Sequence, residues 1–488
     1  MKDFFSNAAD VIASANGRVN NFVWGPIMLV FFLLVGCLFT FGTRIFQISH
    51  IKYWLDVTFL NIFRKKEVRK TKDKHAISQF QSLCTALAAT IGTGNIAGVA
   101  TAIAAGGPGA VFWMWLSAFL GTMTNFAENT LGIKYRSKNA KGEWVGGAMY
   151  YMERGIKWKK FGKVLAVVFS CFCALASFGI GNMSQVNSIA SGLQNSFHVD
   201  PRITAVILMI FVALVILGGI KRIASVAEKI VPFMAIAYIL GGLVVICFHI
   251  TAVPQAFALI FEEAFNFKAM GGGVLGYGLA LAMRKGISRG VFSNEAGLGS
   301  SVMVHSASDV KEPVVQGMWG IFEVFADTLV VCTITALLIL TSGVYDMSTY
   351  AQYAGQTLPS TLASGAALTS NAFASVIPHG DKFVAVAIML FAFSTVLGWS
   401  FYGERAIGYL FGDKAVPVYK IFFICIIYFG CTASLDLVWD ISDTFNGLMA
   451  IPNLIAVTLL SKEVFTMTKD YIRRVKEGKE TEAGESVD

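Results

Sequence analysis

Long apolar runs, separated by short polar connections rich in lysine and arginine, dominate the chain. A helix rises 1.5 Å per residue, so about 20 mostly apolar residues cross a hydrocarbon core of roughly 30 Å. Such runs cover residues 22–43, 79–105, 109–133, 163–190, 203–220 and 230–250, then 271–300, 316–341, 382–404, 416–433 and 438–461. The pattern predicts an all-α integral membrane protein with about eleven transmembrane helices. The first run exceeds the roughly 7–15-residue apolar core of a secretory signal, and no small-residue cleavage site follows it, so it is expected to be retained.

With the first span set aside, ten remain, five in 79–250 and five in 251–462. An odd number of crossings turns the second set upside down relative to the first, which is the arithmetic of an inverted repeat. Residues 1–78 then form an extra N-terminal helix with a basic connector, and 463–488 a solvated tail. In such folds a glycine-interrupted span at matching positions of both halves points to the binding site. The first span of the first half contains Ala88-Ala-Thr-Ile-Gly92-Thr-Gly94-Asn-Ile-Ala-Gly98 without a charge. Three glycines in seven residues weaken a helix by about 1 kcal/mol each. Backbone groups freed at that depth must face protein, water, ion or substrate. Close helix packing through small residues is the plain alternative.

The matching span opens on Gly271, Gly272, Gly273, Gly276 and Gly278. Its uncharged part covers only about 20 Å, which draws the polar, glycine-broken stretch 284–297 toward the membrane interior, or else leaves it in a loop. Gly92–Ala97 and Gly271–Gly276 match the dinucleotide pattern GxGxxG/A. Neither follows a strand, and both are rejected as nucleotide sites.

Composition agrees with lipid as the solvent. Hydrophobic residues make up 55% of the 488 and charged ones 14%, against about 25% charged in soluble domains. This excludes a soluble enzyme, a secreted disulfide scaffold and a nucleic-acid binder. The net charge of +8 is an orientation signal, because Arg44, Lys52, Arg64, Lys65, Lys66, Arg69, Lys70, Lys72 and Lys74 crowd into 44–78 while 342–380 holds no lysine or arginine. The positive-inside rule predicts the N-terminus outside and the C-terminus cytoplasmic, with the chain expected in the cell (inner) membrane. Ile45, Phe46, Ile48, Ile51, Trp54 and Leu55 share one face of 44–66, which fits a helix on the inner leaflet or a simple connector. Eight cysteines without a CxxC pair and six scattered histidines give no metal motif, and no Walker sequence appears. No cofactor is expected. Membrane enzymes and channels are the disfavoured alternatives, lacking a nucleophile constellation and explaining the paired breaks poorly.

Several long motifs resemble the alanine or glycine:cation symporter family. They are Gly92-Thr-Gly-Asn-Ile-Ala-Gly98 within 82–103, Gly107-Pro-Gly-Ala-Val-Phe-Trp-Met-Trp115, Gly181-Asn-Met-Ser-Gln185, Arg289-Gly-Val-Phe-Ser-Asn-Glu-Ala-Gly-Leu-Gly299 and Phe393-Ser-Thr-Val-Leu-Gly-Trp-Ser400. The resemblance implies the amino acid–polyamine–cation superfamily fold, with two inverted five-helix repeats. It also implies Na+- or sometimes H+-driven import of a small neutral amino acid, with glutamine or serine as alternative cargo. It places the substrate carboxylate on the N–H groups of Thr93 and Gly94. A sodium ion falls among the carbonyls of Ala88 and Ile91 and the hydroxyls of Ser394 and Thr395, all neutral oxygens suited to a hard cation. Phe292 and Asn294 come with the 289–299 motif, and Trp399 is implied as a wall that limits side-chain size.

Other candidates rest on position. Asn95 suits a second ion, the substrate or an interhelical bond. Phe178, Asn182 and Gln185 are spaced four and three apart, which predicts one helix face and a polar pocket beside an aromatic. Asp327 lies near mid-span, where an unpaired carboxylate costs about 2.5–3.5 kcal/mol. It is expected to couple to an ion or to pair with Arg284, Lys285 or Arg289, with Glu323, Glu128 and Glu295 in reach of the same network. Asp440 and Asp443 fit an outer vestibule or a helix cap.

Overall fold

The computed structural model of the chain describes residues 2–139, 142–265, 277–353, 358–359, 361–433 and 436–479. It is 82% helical. A helix lies over each of the eleven apolar runs. Six are long and apolar enough to cross a bilayer among the described residues: Ala13–Gly42, Lys159–Phe197, Gly219–Phe248, Pro313–Thr341, Gly380–Phe411 and Asp413–Thr432. Two bent pairs, Gln79–Thr90 with Gly94–Gly106 and Asp440–Leu459 with Ser461–Lys476, bring the number to eight. The other three are shorter or more polar. Pro201–Ile216 has 16 residues, Tyr277–Asn294 carries Arg284, Lys285 and Arg289, and Gly109–Tyr135 buries Asn125, Glu128 and Asn129 inside the bundle.

Two kinds of helix surface separate core from lipid. Gly219–Phe248 exposes Phe233, Ile236 and Leu240, and Val416–Thr432 exposes Ile421, Phe422 and Phe429. A continuous exposed apolar stripe is stable only against hydrocarbon. Gly109–Tyr135 instead packs into Pro313–Val324, where Gly320 leaves room for Asn129 Nδ2, 2.5 Å from where a Cβ would stand.

The first helix of each half is interrupted, but the second break differs from its expected form. The glycines Gly271, Gly272, Gly273 and Gly276 lie outside the described residues. Tyr277–Asn294 is unbroken, so 284–294 is helix rather than glycine-broken chain. Its glycines serve contact: a Cβ on Gly286 would strike the Ala110 carbonyl, and one on Gly290 would lie 2.7 Å from Ser117 Oγ. The break falls later. Glu295, Gly297 and Gly299 take left-handed conformations (φ 56°, 89° and 73°) before the short helix Val302–His305.

The tail also departs from expectation. Ser461–Lys476 is an amphipathic helix bent 57° from its predecessor, with Val464, Thr468 and Tyr471 buried. It is anchored by the Tyr53–Tyr471 hydroxyl contact (2.6 Å) and by Glu463, which accepts from Lys134 and Tyr135 at 2.6 Å each. In 44–66 the face divides, with Phe46 and Trp54 buried and Ile45, Ile48 and Ile51 exposed.

Candidate substrate and cation site

The first break is built from both sides by local hydrogen bonding. Gln79–Thr90 starts in a capping box, in which the Ser78 side chain accepts from the Gln81 N–H and the Gln81 side chain accepts from the Ser78 N–H. It ends where Ile91 leaves helical geometry (φ −74°, ψ 89°). In an unbroken helix the Gly92 N–H would donate to the Ala88 carbonyl. Here it donates to Asn95 Oδ1 at 2.9 Å. Among the described residues no hydrogen bond reaches the carbonyls of Ala88, Ala89, Thr90 or Ile91, all in buried residues. Buried, unpaired carbonyls at a helix C-terminus carry partial negative charge and call for a donor or a cation. Thr395 stands beside them, its Oγ1 2.5 Å from where a Gly92 Cβ would lie. The Ser394 and Thr395 hydroxyls donate to the Phe391 carbonyl at 2.8 and 3.0 Å, which leaves their oxygen lone pairs free to accept.

On the far side of Gly92 the polarity reverses. The backbone N–H groups of Thr93 and Gly94 make no hydrogen bond among the described residues, and they open the half-helix Gly94–Gly106. Thr93 and Gly94 line a cavity of about 340 Å³ together with Ala97, Gly98, Thr101, Ser188, Arg289, Phe292 and Asp440. Gly98 faces open space, and the Phe292 ring lies 3.3 Å from where a Gly94 Cβ would be. The Thr93 hydroxyl donates to Gln185 Oε1 at 3.1 Å, while Gln185 Nε2 donates to the Ile180 carbonyl at 3.0 Å. Arg289 sits over the Phe292 ring at 5.3 Å and 3.9 Å from Asp443. Free N–H groups at a helix start suit an anion such as a carboxylate.

Not every expected residue joins this group. Gln185 reaches the first break, but Asn182 donates to the Phe423 carbonyl at 2.7 Å and Phe178 packs edge-on against Tyr419, 5.2 Å away. Their shared face is lost because Gly179–Met183 is a π-turn, whose extra residue rotates the next stretch of helix about its axis. Asn95 points away from the cavity, its Nδ2 donating to Asp327 Oδ1 at 2.7 Å. Asn294 closes the second break, accepting from the Ala296 N–H (3.0 Å) and donating to Thr328 Oγ1 (3.1 Å). Trp399 is buried against Gly181 and Tyr402.

Asp327 has no arginine or lysine partner among the described residues. It accepts from Asn95, from Ser293 Oγ at 2.9 Å and from Thr328 Oγ1 at 2.7 Å. Of the basic groups expected near it, Arg284 donates to Asn21 Oδ1 at 2.7 Å and Arg289 approaches Asp443. Arg284 lies nine residues before Ser293, on the opposite side of helix Tyr277–Asn294, whereas Arg289, four residues before it, shares its face but extends to Asp443. Glu323 pairs with His305 at 2.9 Å and accepts from Asn125 at 3.0 Å, Glu128 accepts from Asn453, and Glu295 from Ser300. The cavity adds Ser188 and Thr101 to the expected set. Ser188 lies three residues after Gln185 and Thr101 seven after Gly94, so helical spacing from those two was the available signal.

The whole constellation lies within a match to the model of the sodium:alanine symporter family, which covers residues 9–485. The chain belongs to the sodium:alanine symporter family. This family member is therefore a multi-pass membrane transporter of amino acid and sodium rather than an enzyme. It is 47% identical over 463 residues to the sodium/alanine symporter AgcS of Methanococcus maripaludis, covering 95% of this chain and 97% of that protein. It is 40% identical over 467 residues to the probable sodium/glutamine symporter GlnT of Bacillus subtilis, covering 95% and 91% respectively. Among solved structures, MhsT in complex with L-phenylalanine superposes with a TM-score of 0.52 at 14% identity, covering 81% of this chain and 93% of that one. The symporter thus has the LeuT-like transporter fold.

Proposed function

We propose that this chain imports a small neutral amino acid of the alanine/glycine class together with Na+, by alternating access. In this reading the two five-helix repeats span 79–250 and 251–462, with the N-terminus outside and the C-terminus cytoplasmic. The observation that carries it is the reversal of free backbone polarity across Gly92. Unpaired carbonyls of Ala88 to Ile91 with Thr395 and Ser394 favour a cation, and unpaired N–H groups of Thr93 and Gly94 favour a carboxylate. The kinship with AgcS supports alanine as cargo. Phe292 against Gly94 supports a short side chain, and Gln185 orients the substrate through Thr93. Asn95 and Asp327 act together, tying the first break to helix Pro313–Thr341.

The test is uptake of radiolabelled amino acids into proteoliposomes under imposed Na+, Li+ or proton gradients. Alanine should accumulate with an inward Na+ gradient and stop when that gradient is collapsed. Accumulation indifferent to Na+ would overturn the coupling, and glutamine or serine outcompeting alanine would overturn the cargo.

A further inference from the structure

Helix Ala13–Gly42 ends in a sharp turn that lies beside the last amphipathic helix, Ser461–Lys476. Arg44 and Ile45 both hold left-handed backbone conformations (φ 59° and 55°), an uncommon pair for residues with side chains. Such strain persists only where surroundings enforce it and gathers at ligand clamps. The Ile45 N–H donates to the Thr40 carbonyl at 2.7 Å and holds the turn in place.

Against this turn lies a cavity of about 580 Å³ whose walls carry Arg44, His50, Lys469, Arg473 and Lys476 with one carboxylate, Glu477. Glu477 is engaged by Lys479 at 3.1 Å, and Arg473 by Asp470 at 2.5 Å. Among the described residues no carboxylate lies within ion-pair distance of Arg44, Lys469 or Lys476. Burial and the Lys476 ammonium push the His50 imidazole below its ordinary value, which fits a locally positive field. Phe465 and Ile472 give the cavity an apolar side. Next to it on the chain, Phe41, Ile45 and Ile48 are 68%, 37% and 56% exposed.

We propose that this pocket binds the phosphate-bearing headgroup of an anionic phospholipid. Three unpaired cations meet the phosphate, and the acyl chains run along Phe41, Ile45 and Ile48. A free phosphate would satisfy the charges and leave the apolar rim unused. On the orientation proposed above, the end of helix Ala13–Gly42 falls at the cytoplasmic headgroup level, and basic pockets between helices on that side bind such lipids. The lipid would bridge the extra N-terminal helix to the C-terminal one.

The full-length chain in detergent is titrated with short-chain phosphatidylglycerol, phosphatidylcholine of the same chains, or inorganic phosphate, and bound species are counted by native mass spectrometry. Phosphatidylglycerol should bind at least about tenfold tighter than phosphatidylcholine. The triple variant Arg44→Gln/Lys469→Gln/Lys476→Gln should lose roughly 100-fold in phosphatidylglycerol affinity, from the per-charge attraction of basic residues to anionic lipid, with phosphatidylcholine binding unchanged. Lys469→Gln alone should lose about fivefold, a readout that survives if the triple variant misfolds. Lys469→Arg should keep wild-type binding. Equal binding of the two lipids, or full binding by Lys469→Gln, would overturn the site. Inorganic phosphate binding as tightly as phosphatidylglycerol would assign the pocket to a free anion and overturn the lipid.

Discussion

The two broken helices solve one geometric problem in opposite ways. The first break is short and uncharged, and it leaves carbonyls on one side of Gly92 and N–H groups on the other without partners among the described residues. The second runs from Glu295 to Ser301, turns through left-handed residues and is tied at several points. Asn294 accepts from the Ala296 N–H, the Leu298 N–H donates to the Glu295 carbonyl at 3.0 Å, and Asn453 Nδ2 donates to the Gly297 carbonyl at 2.9 Å. A buried polar group is expensive only when unpaired. The first break therefore has something to gain from a ligand, and the second has a shape to keep. Glycine composition does not distinguish them, whereas the positive φ values of Glu295, Gly297 and Gly299 do.

The contrast is open to attack, most severely in the second break. Gly299 sits at φ 73° with Asn453 Oδ1 2.7 Å from where a Cβ would stand. Gly299→Ala combines backbone strain with overpacking and should cost about 2–4 kcal/mol. The measurement is the melting temperature and yield of purified protein, and wild-type stability would mean that this break is not rigid. Gly92→Ala should do the reverse, with at least tenfold lower alanine uptake at near-normal yield, because the new methyl enters the space of Thr395 Oγ1. Equal loss of folded protein would make Gly92 a packing residue. Asp327→Asn probes the link between the breaks. It keeps size but turns one of the two accepting oxygens, Oδ1 facing Asn95 or Oδ2 facing Ser293 and Thr328, into a donor. About 1–3 kcal/mol of stability should go, and transport should fall with it; an unchanged melt would free Asp327 from this clasp. Thr395→Ala is the mildest. The Na+ concentration for half-maximal uptake should rise about three- to tenfold, from loss of one neutral ligand worth about 1 kcal/mol, with maximal rate preserved. An unaltered Na+ dependence removes Thr395 from the ion site.

Much of the fold was legible because hydrophobic length is a local property. Each of the eleven apolar runs carries a helix, and the first break stands where Gly92 and Gly94 put it. What escaped were choices made across the chain. Gly286 and Gly290 read as weak points, yet their missing side chains admit helix Gly109–Tyr135, and the real turn depends on positive φ at Glu295, Gly297 and Gly299. The spacing of Phe178, Asn182 and Gln185 assumed 3.6 residues per turn, and the π-turn at Gly179–Met183 breaks that assumption without a compositional trace. The partners of Asp327 escaped because Asn95 lies 232 positions away and because Arg284 bonds Asn21 and Arg289 extends to Asp443 instead.

The nearness of opposite backbone ends at Gly92 has a consequence for leakage. On the proposed reading, a sodium ion at the carbonyl end and a carboxylate at the N–H end stand only a few residues apart, in a region where charge is poorly screened. On that reading a seated carboxylate would stabilise a seated sodium ion, and sodium alone would leave its charge uncompensated beside the N–H end. A carrier holding sodium alone would then meet a higher barrier to changing its face than one holding both. The helix break itself would oppose leakage of the ion without its cargo.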